Sequence, residues 1–276
     1  MTPSDLHPTT VQASGGGNAS GPWTRVPYRD IPRFDGSSLL AKWDRLHAGQ
    51  WMPPPAPGPL ADGWALYHSG EFEQAVTLAL KQGVDGLALA NQATAIYANY
   101  LEPRESVRLA LFKQVTERAA AQASSEPDNC RALYWQAYAL GRYSQGISVA
   151  RALAQGLGSK VKGALERVIE LQPRHADAHV ALAAFHAEVI DKVGSLVGRM
   201  TYGVHAETAV ELFERGLQLN PNSASALMEY ARGLLMLHGD SRMADATRLY
   251  EKAAGLEPAD ARERLDVELA RTGLSD

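Results

Sequence analysis

Three stretches of this 276-residue chain end alike: "LERVIELQP" at Pro173, "ELFERGLQLNP" at Pro221 and "LYEKAAGLEP" at Pro258. In each, an amphipathic helical pattern runs into a proline. Proline has no backbone N–H and drives the residue before it out of the helical region, so each ending is a forced turn. Registering the chain on these prolines and on Pro127 brings out a positional code. Small residues stand three positions after all four (Cys130, Ala176, Ala224, Ala261). They recur five and ten positions after the first three, as Ala132, Ala178 and Ala226, then Ala137, Ala183 and Ala231. Large residues stand eight positions before the last three (Leu165, Phe213, Tyr250), and leucines two before (Leu171, Leu219, Leu256). Small residues on one helix let a second approach to about 8–10 Å between axes. The large residue then fills the gap toward the next pair. One pair cannot bury its apolar face alone, so the pairs must stack.

Composition sets the boundaries. Residues 1–34 are rich in Gly, Ser, Thr and Pro and read as a disordered N-terminal arm. In 35–51, Leu39, Leu40, Trp43 and Leu46 fall at helical spacing behind serines that can cap, which predicts a short amphipathic helix. "MPPPAPGP" (52–59) stops it as a polyproline-type linker, with a PxxP pattern from Pro54 to Pro57. From 60 to 276 the chain is dense in good helix formers, with no alternating strand run, and reads as one all-α domain. A net charge of −4 provides no basic field for nucleic acid. The single cysteine, Cys130, cannot close an intrachain disulfide. No apolar window is long enough for a membrane span, and the first residues lack the pattern of a signal peptide, so a cytoplasmic location is expected.

With "GWALYHSGEFEQAV" (63–76), which carries Gly70, Phe72 and Ala75, these residues resemble the tetratricopeptide repeat (TPR). Later repeats supply Ala137, then Ala183 with Ala209, then Ala231 with Ala246. The resemblance covers 56–271 and weakens over 85–127, a helix pair without the motif residues. It implies a right-handed superhelix of antiparallel helix pairs, about five plus a capping helix at 261–271. It also implies a non-catalytic scaffold that takes a protein or peptide segment in a concave groove. Carried over by position, the groove residues are Trp64, Tyr67 and His68, then Arg131, Tyr134, Tyr138 and Arg142. Asp177, Val180 and Glu188 follow, and then Met228, Arg232, Leu235 and Met236.

The spacing departs from the 34-residue unit. Pro127 to Pro173 is 46 residues, Pro173 to Pro221 is 48, and Pro221 to Pro258 is 37. Two hairpins are therefore lengthened. Spread over their helices, the excess adds roughly 10 Å to each at 1.5 Å per residue. The apolar residues there (Ile147, Val149, Leu153, Ile190, Val193, Leu196, Val197) are expected to pack on one another, on a partner, or in a homo-oligomer. "YWQAYALGRYSQGIS", "HADAHVALAAFHAEVI", "TYGVHAETAVELFERGLQLNP" and "PADARERLDVELA" together are similar to bacterial TPR proteins of the TRAP-transporter T-component type. That similarity implies, as the alternative, a periplasmic accessory protein that binds a small apolar ligand or a solute-binding protein.

Candidate chemistry is sparse. His175, His179 and His186 fall near one helix face, but no HExxH or CxxC accompanies them, and they read as polar-tipped core residues. "QGLGSKVKG" (155–163) lacks phosphate-loop spacing and reads as a hairpin turn. Cys130 reads as packed, and Glu211 with Glu214 as a solvated face. No catalytic residue, metal or cofactor is expected.

Overall fold

In the computed structural model, which describes residues 21–275, the repeat prolines act through their neighbours. Glu126, Gln172 and Asn220 each precede a proline, and their ψ angles of 77, 77 and 81° lie outside the helical region. Two residues after each proline, a side chain caps the next helix. Asn129 accepts from the Ala132 N–H at 3.0 Å, His175 from Ala178 at 3.1 Å, Ser223 from Ala226 at 3.2 Å and Asp260 from Glu263 at 2.7 Å. Proline and cap thus form one stop-and-start unit. It fixes why a small residue recurs three positions on, at the first position of the new helix.

Two short helices, α1 (Gly36–Leu40) and α2 (Trp43–Leu46), precede the repeats. Helix α3 (Pro59–His68) then pairs with α4 (Phe72–Leu80), and α5 (Leu87–Tyr100) with α6 (Glu105–Ser125). Next, α7 (Cys130–Gln145) leads through α8 (Val149–Ala154) to its partner α9 (Leu157–Leu171). In the same way α10 (Ala176–Val193) leads through α11 (Ser195–Tyr202) to α12 (Ala206–Leu219). Helix α13 (Ala224–His238) pairs with α14 (Met243–Ala254), and α15 (Ala261–Gly273) caps the stack. No strand occurs among the described residues.

The core follows the positional code. Leu165 and Phe213, eight before their prolines, are fully buried, and Phe213 stacks on Tyr230 of the next pair at 5.0 Å. Such a buried side chain contributes about 2–3 kcal/mol. Ala132, Ala137, Ala178, Ala183, Ala226 and Ala231 are all buried, as close helix packing requires.

Three expectations change. The lengthened hairpins exist, but the extra residues do not extend the paired helices by two turns; they form α8 and α11 as separate short helices. Gly194 (φ 82°) and Gly203 (φ 65°) bound α11 in conformations that L side chains rarely adopt, so the chain turns there rather than continuing the helix. Residues 21–34, expected as part of a disordered arm, instead lie along the repeats. Trp23 stacks on Tyr97 at 3.9 Å, Ile31 is buried, and the Phe34 N–H donates to Ser69 Oγ. Residues 1–20 of that arm lie outside the described residues.

The third change concerns 35–52, expected as a short helix leading into a linker. Asp35 caps α1 through a reciprocal pair with Ser38, and the segment folds back on the concave side as a strap. The Trp43 indole N–H donates to the Met52 carbonyl at 2.6 Å, and Trp43 packs edge-on against Trp64 at 5.7 Å. Farther along, the Gly49 carbonyl accepts from the Asp177 N–H at 3.0 Å, and the Trp51 carbonyl from Gln172 Nε2 at 2.9 Å. The strap thereby ties the first repeat to the start of α10.

Candidate functional site

Helices α5, α7, α9, α10, α13 and α15 converge on a cavity of about 340 Å³. Capping by Asn129, His175 and Ser223 starts α7, α10 and α13 in equivalent register, so equivalent positions of the three face one space. Tyr134, Tyr138 and Arg142 line it from α7, Asp177, Val180 and Glu188 from α10, and Met228 and Arg232 from α13. Eight of the fourteen groove residues inferred from the sequence therefore share one site.

The other six do not. Trp64 and Tyr67 are 2% and 0% exposed, and neighbouring His68 is buried with them. The strap covers them: His47 lies 5.0 Å from Trp64 and 4.9 Å from His68, ring to ring. They occupy groove positions of the repeat, but the chain's own Trp43 and His47 fill that part of the groove and convert it to core. Arg131 is exposed beside a shallow hollow with Met52, Pro53 and Asn129, away from the cavity. Leu235 and Met236 are half-buried and do not line it either.

Charged groups in the cavity are mostly held by one another. Arg142 meets Glu229 at 2.8 Å and lies over the Tyr138 ring at 5.5 Å. Arg232 is 3.8 Å from the same carboxylate and donates to the Tyr250 hydroxyl at 3.1 Å. Burial alone would raise the Glu229 carboxyl, but Arg142 and then Arg232 outweigh it and keep the group below the usual carboxylate range. Glu188 accepts from Gln145, and burial pushes its carboxyl up against the opposing pull of Lys192, 3.7 Å away.

The cap helix supplies the rest. Arg262 stands between Asp177 at 3.7 Å and Asp266 at 3.9 Å, both longer than a hydrogen bond, and its Nε has no partner among the described residues. Burial pushes Asp266 up to about 6, with Arg262 opposing, and the Tyr100 hydroxyl donates to it. Burial holds the Tyr100 and Tyr134 hydroxyls well above their ordinary range, so both stay protonated. The cavity thus offers aromatic faces, phenol donors, fixed ion pairs and one guanidinium with unspent donors. That is binding chemistry. Burial raises rather than activates the Cys130 thiol, at the first turn of α7.

The three histidines have structural roles. His175 is the α10 cap; His179 Nδ1 meets the His175 carbonyl at 3.0 Å; the His205 N–H donates to His186 Nδ1 at 3.2 Å. Among the described residues no group of three His, Cys, Asp or Glu side chains could hold a metal ion, and no helix is long and apolar enough to cross a membrane. Residues 155–163 form the turn from α8 into α9 and most of the first half of α9.

Sequence reasoning missed Tyr100, Glu229 and Arg262 in the lining, and Asp266, which meets Arg262 and Tyr100 from beside it. Glu229 was within reach, because it follows Met228 and sits three positions before Arg232 on the same helix. Tyr100 comes from the pair that carries no repeat motif. Arg262 and Asp266 come from a helix read only as a cap.

No family model matches the chain, and no curated protein matches it. Among solved structures, it is similar to the crystal structure of a thermophilic TPR protein from Thermus thermophilus. The two share 19% identity at a TM-score of 0.54, over 78% of this chain and 97% of that one. At that identity the likeness speaks for architecture: the fold is an all-helical, TPR-like repeat superhelix.

Proposed function

We propose that this protein is a non-catalytic binding scaffold of TPR type, which takes a short segment of a partner protein into the cavity between α7, α10, α13 and α15. One observation carries the reading. Eight residues inferred as groove-lining from the repeat register meet around a single 340 Å³ space furnished with tyrosines, methionine and arginines, types favoured where proteins bind. The strap and the cap helix take up the rest of the concave face. The space left suits a turn or a few side chains of the partner rather than a long extended peptide.

That restriction also favours a second reading. A cavity of about 340 Å³ falls in the size range of small-molecule sites. A small, largely apolar ligand, in the manner of a transport accessory protein, is the alternative occupant. Panning a random peptide library on the full chain separates the two. Enriched peptides that compete with one another and lose affinity for Tyr138→Ala support the scaffold. No enrichment, together with a stoichiometric small molecule in native mass spectra, transfers the cavity to the alternative.

A further inference from the structure

The two inserted helices, α8 and α11, leave apolar surface uncovered. Helix α11 turns Gly198 and Tyr202 inward. Gly198 faces Val204 and Val189, while Tyr202 packs on Phe185 at 5.9 Å and against Gly158 at the start of α9. The opposite side of the same helix carries Leu196, Val197 and Met200, which are 67, 52 and 80% exposed. Helix α8, which runs through Gly156 into that same start of α9, leaves Val149 and Leu153 exposed as well. Single exposed aliphatics are ordinary; here five stand on two short helices that both meet the start of α9, α8 through Gly156 and α11 through Tyr202 against Gly158.

Charge identifies what covers it. Residues 146–163 carry Arg151, Lys160 and Lys162 and no acid, and 189–205 carry Lys192 and Arg199 against Asp191. With Glu166 and Glu188, which pair with two of these lysines, counted among the acids, the region holds two more cations than anions, in a chain whose net charge is −4. Lys162 and Lys192 are engaged by Glu166 and Glu188, whereas Arg151, Lys160 and Arg199 have no carboxylate partner among the described residues. Exposed aliphatic side chains close in sequence to unpaired cations, on short helices of which α11 is bounded by two glycines, match an anionic bilayer surface. A second copy docking through the same face would set this basic patch against itself. The patch also lacks the exposed aromatics that dominate protein–protein hot spots.

We propose that the α8–α11 end is a membrane-surface docking site. Leu196, Val197, Met200, Val149 and Leu153 enter the acyl boundary, and Arg151, Lys160 and Arg199 lie among anionic headgroups. The test is cosedimentation of the full chain with vesicles of phosphatidylcholine alone and of phosphatidylcholine mixed with phosphatidylglycerol. The wild type should partition onto the anionic vesicles and be released by salt. Leu196→Asp with Met200→Asp, and separately Arg151→Glu with Arg199→Glu, should weaken partitioning about tenfold or more at an unchanged unfolding midpoint. Protein that stays in the supernatant at low salt overturns the proposal, as does equal binding by both variants. A wild-type dimer in ultracentrifugation that Leu196→Asp with Met200→Asp dissociates would assign the patch to a second copy, and equally overturn it.

Discussion

His68 on α3 and Asp260 at the cap of α15, 192 residues apart in sequence, meet in a 2.5 Å hydrogen bond with both side chains buried. Around them Arg45 of the strap holds Glu263 through two contacts, of 2.5 and 2.8 Å, so the chain's early and late segments close over the concave face together. Asp260 serves twice, because it also caps α15. Asp260→Ala should therefore cost about 3 kcal/mol, one part for the lost cap and the larger part for a buried histidine nitrogen left alone. Asp260→Asn keeps one oxygen to accept the Glu263 N–H and presents an amide N–H that His68 Nδ1 accepts in its other tautomer, so it should cost less. Urea unfolding of the two variants checks the order.

His175 makes acid stability a local question. Burial, opposed by Asp177, lowers this histidine from 6.5 to about 4, and its Nδ1 lone pair caps α10. As pH falls, the unfolded chain takes this proton first. The contribution is whole above pH 6.5 and is lost as pH falls toward 4, by up to about 3 kcal/mol. His175→Asn caps without titrating, as Asn129 does in the preceding repeat. Its unfolding free energy should fall less steeply than that of the wild type between those pH values; parallel slopes would contradict the assignment.

The Arg142–Glu229 pair spans α7 and α13, with both side chains at most a quarter exposed. Removing either partner strands a largely buried charge, so Arg142→Ala and Glu229→Ala should each destabilise by about 2–3 kcal/mol. The double variant should cost clearly less than the sum, since neither charge is then left behind. A thermal double-mutant cycle reads the coupling directly.

Two glycines should respond in opposite directions. A Cβ at Gly233 would strike the Phe213 ring, so Gly233→Ala should cost about 1–3 kcal/mol by overpacking. Gly163 lies inside α9 with nothing near its missing Cβ, and Gly163→Ala should stabilise by about 0.5–1 kcal/mol. Calorimetric midpoints of the pair check the stacking geometry on which the cavity rests.

How much of this was legible in the sequence depends on whether the cause is local. Proline spacing reports local backbone physics, so the helix boundaries and the small residues after Pro127, Pro173, Pro221 and Pro258 were readable. Tyr134, Tyr138, Arg142 and Met228 followed from the same register. Trp64 and Tyr67 did not, because their fate depends on which segment reaches them. The apolar spacing of Leu39, Trp43 and Leu46 announces a buried face without naming the surface that buries it. Arg262 and Asp266 failed for the matching reason: helical pattern on a last helix cannot show that its charged side turns into the groove.

The cavity as the binding site is tested most directly by plugging it. Ala184 lines the space from α10 and is only half-buried, so Ala184→Phe adds a ring inside while removing no contact. Fluorescence anisotropy should be measured with a labelled peptide selected on the wild type. Loss of affinity by about tenfold or more in Ala184→Phe, at an unchanged unfolding midpoint, is the expected result. Undiminished binding by the plugged protein would place the partner elsewhere on the surface and contradict the cavity site.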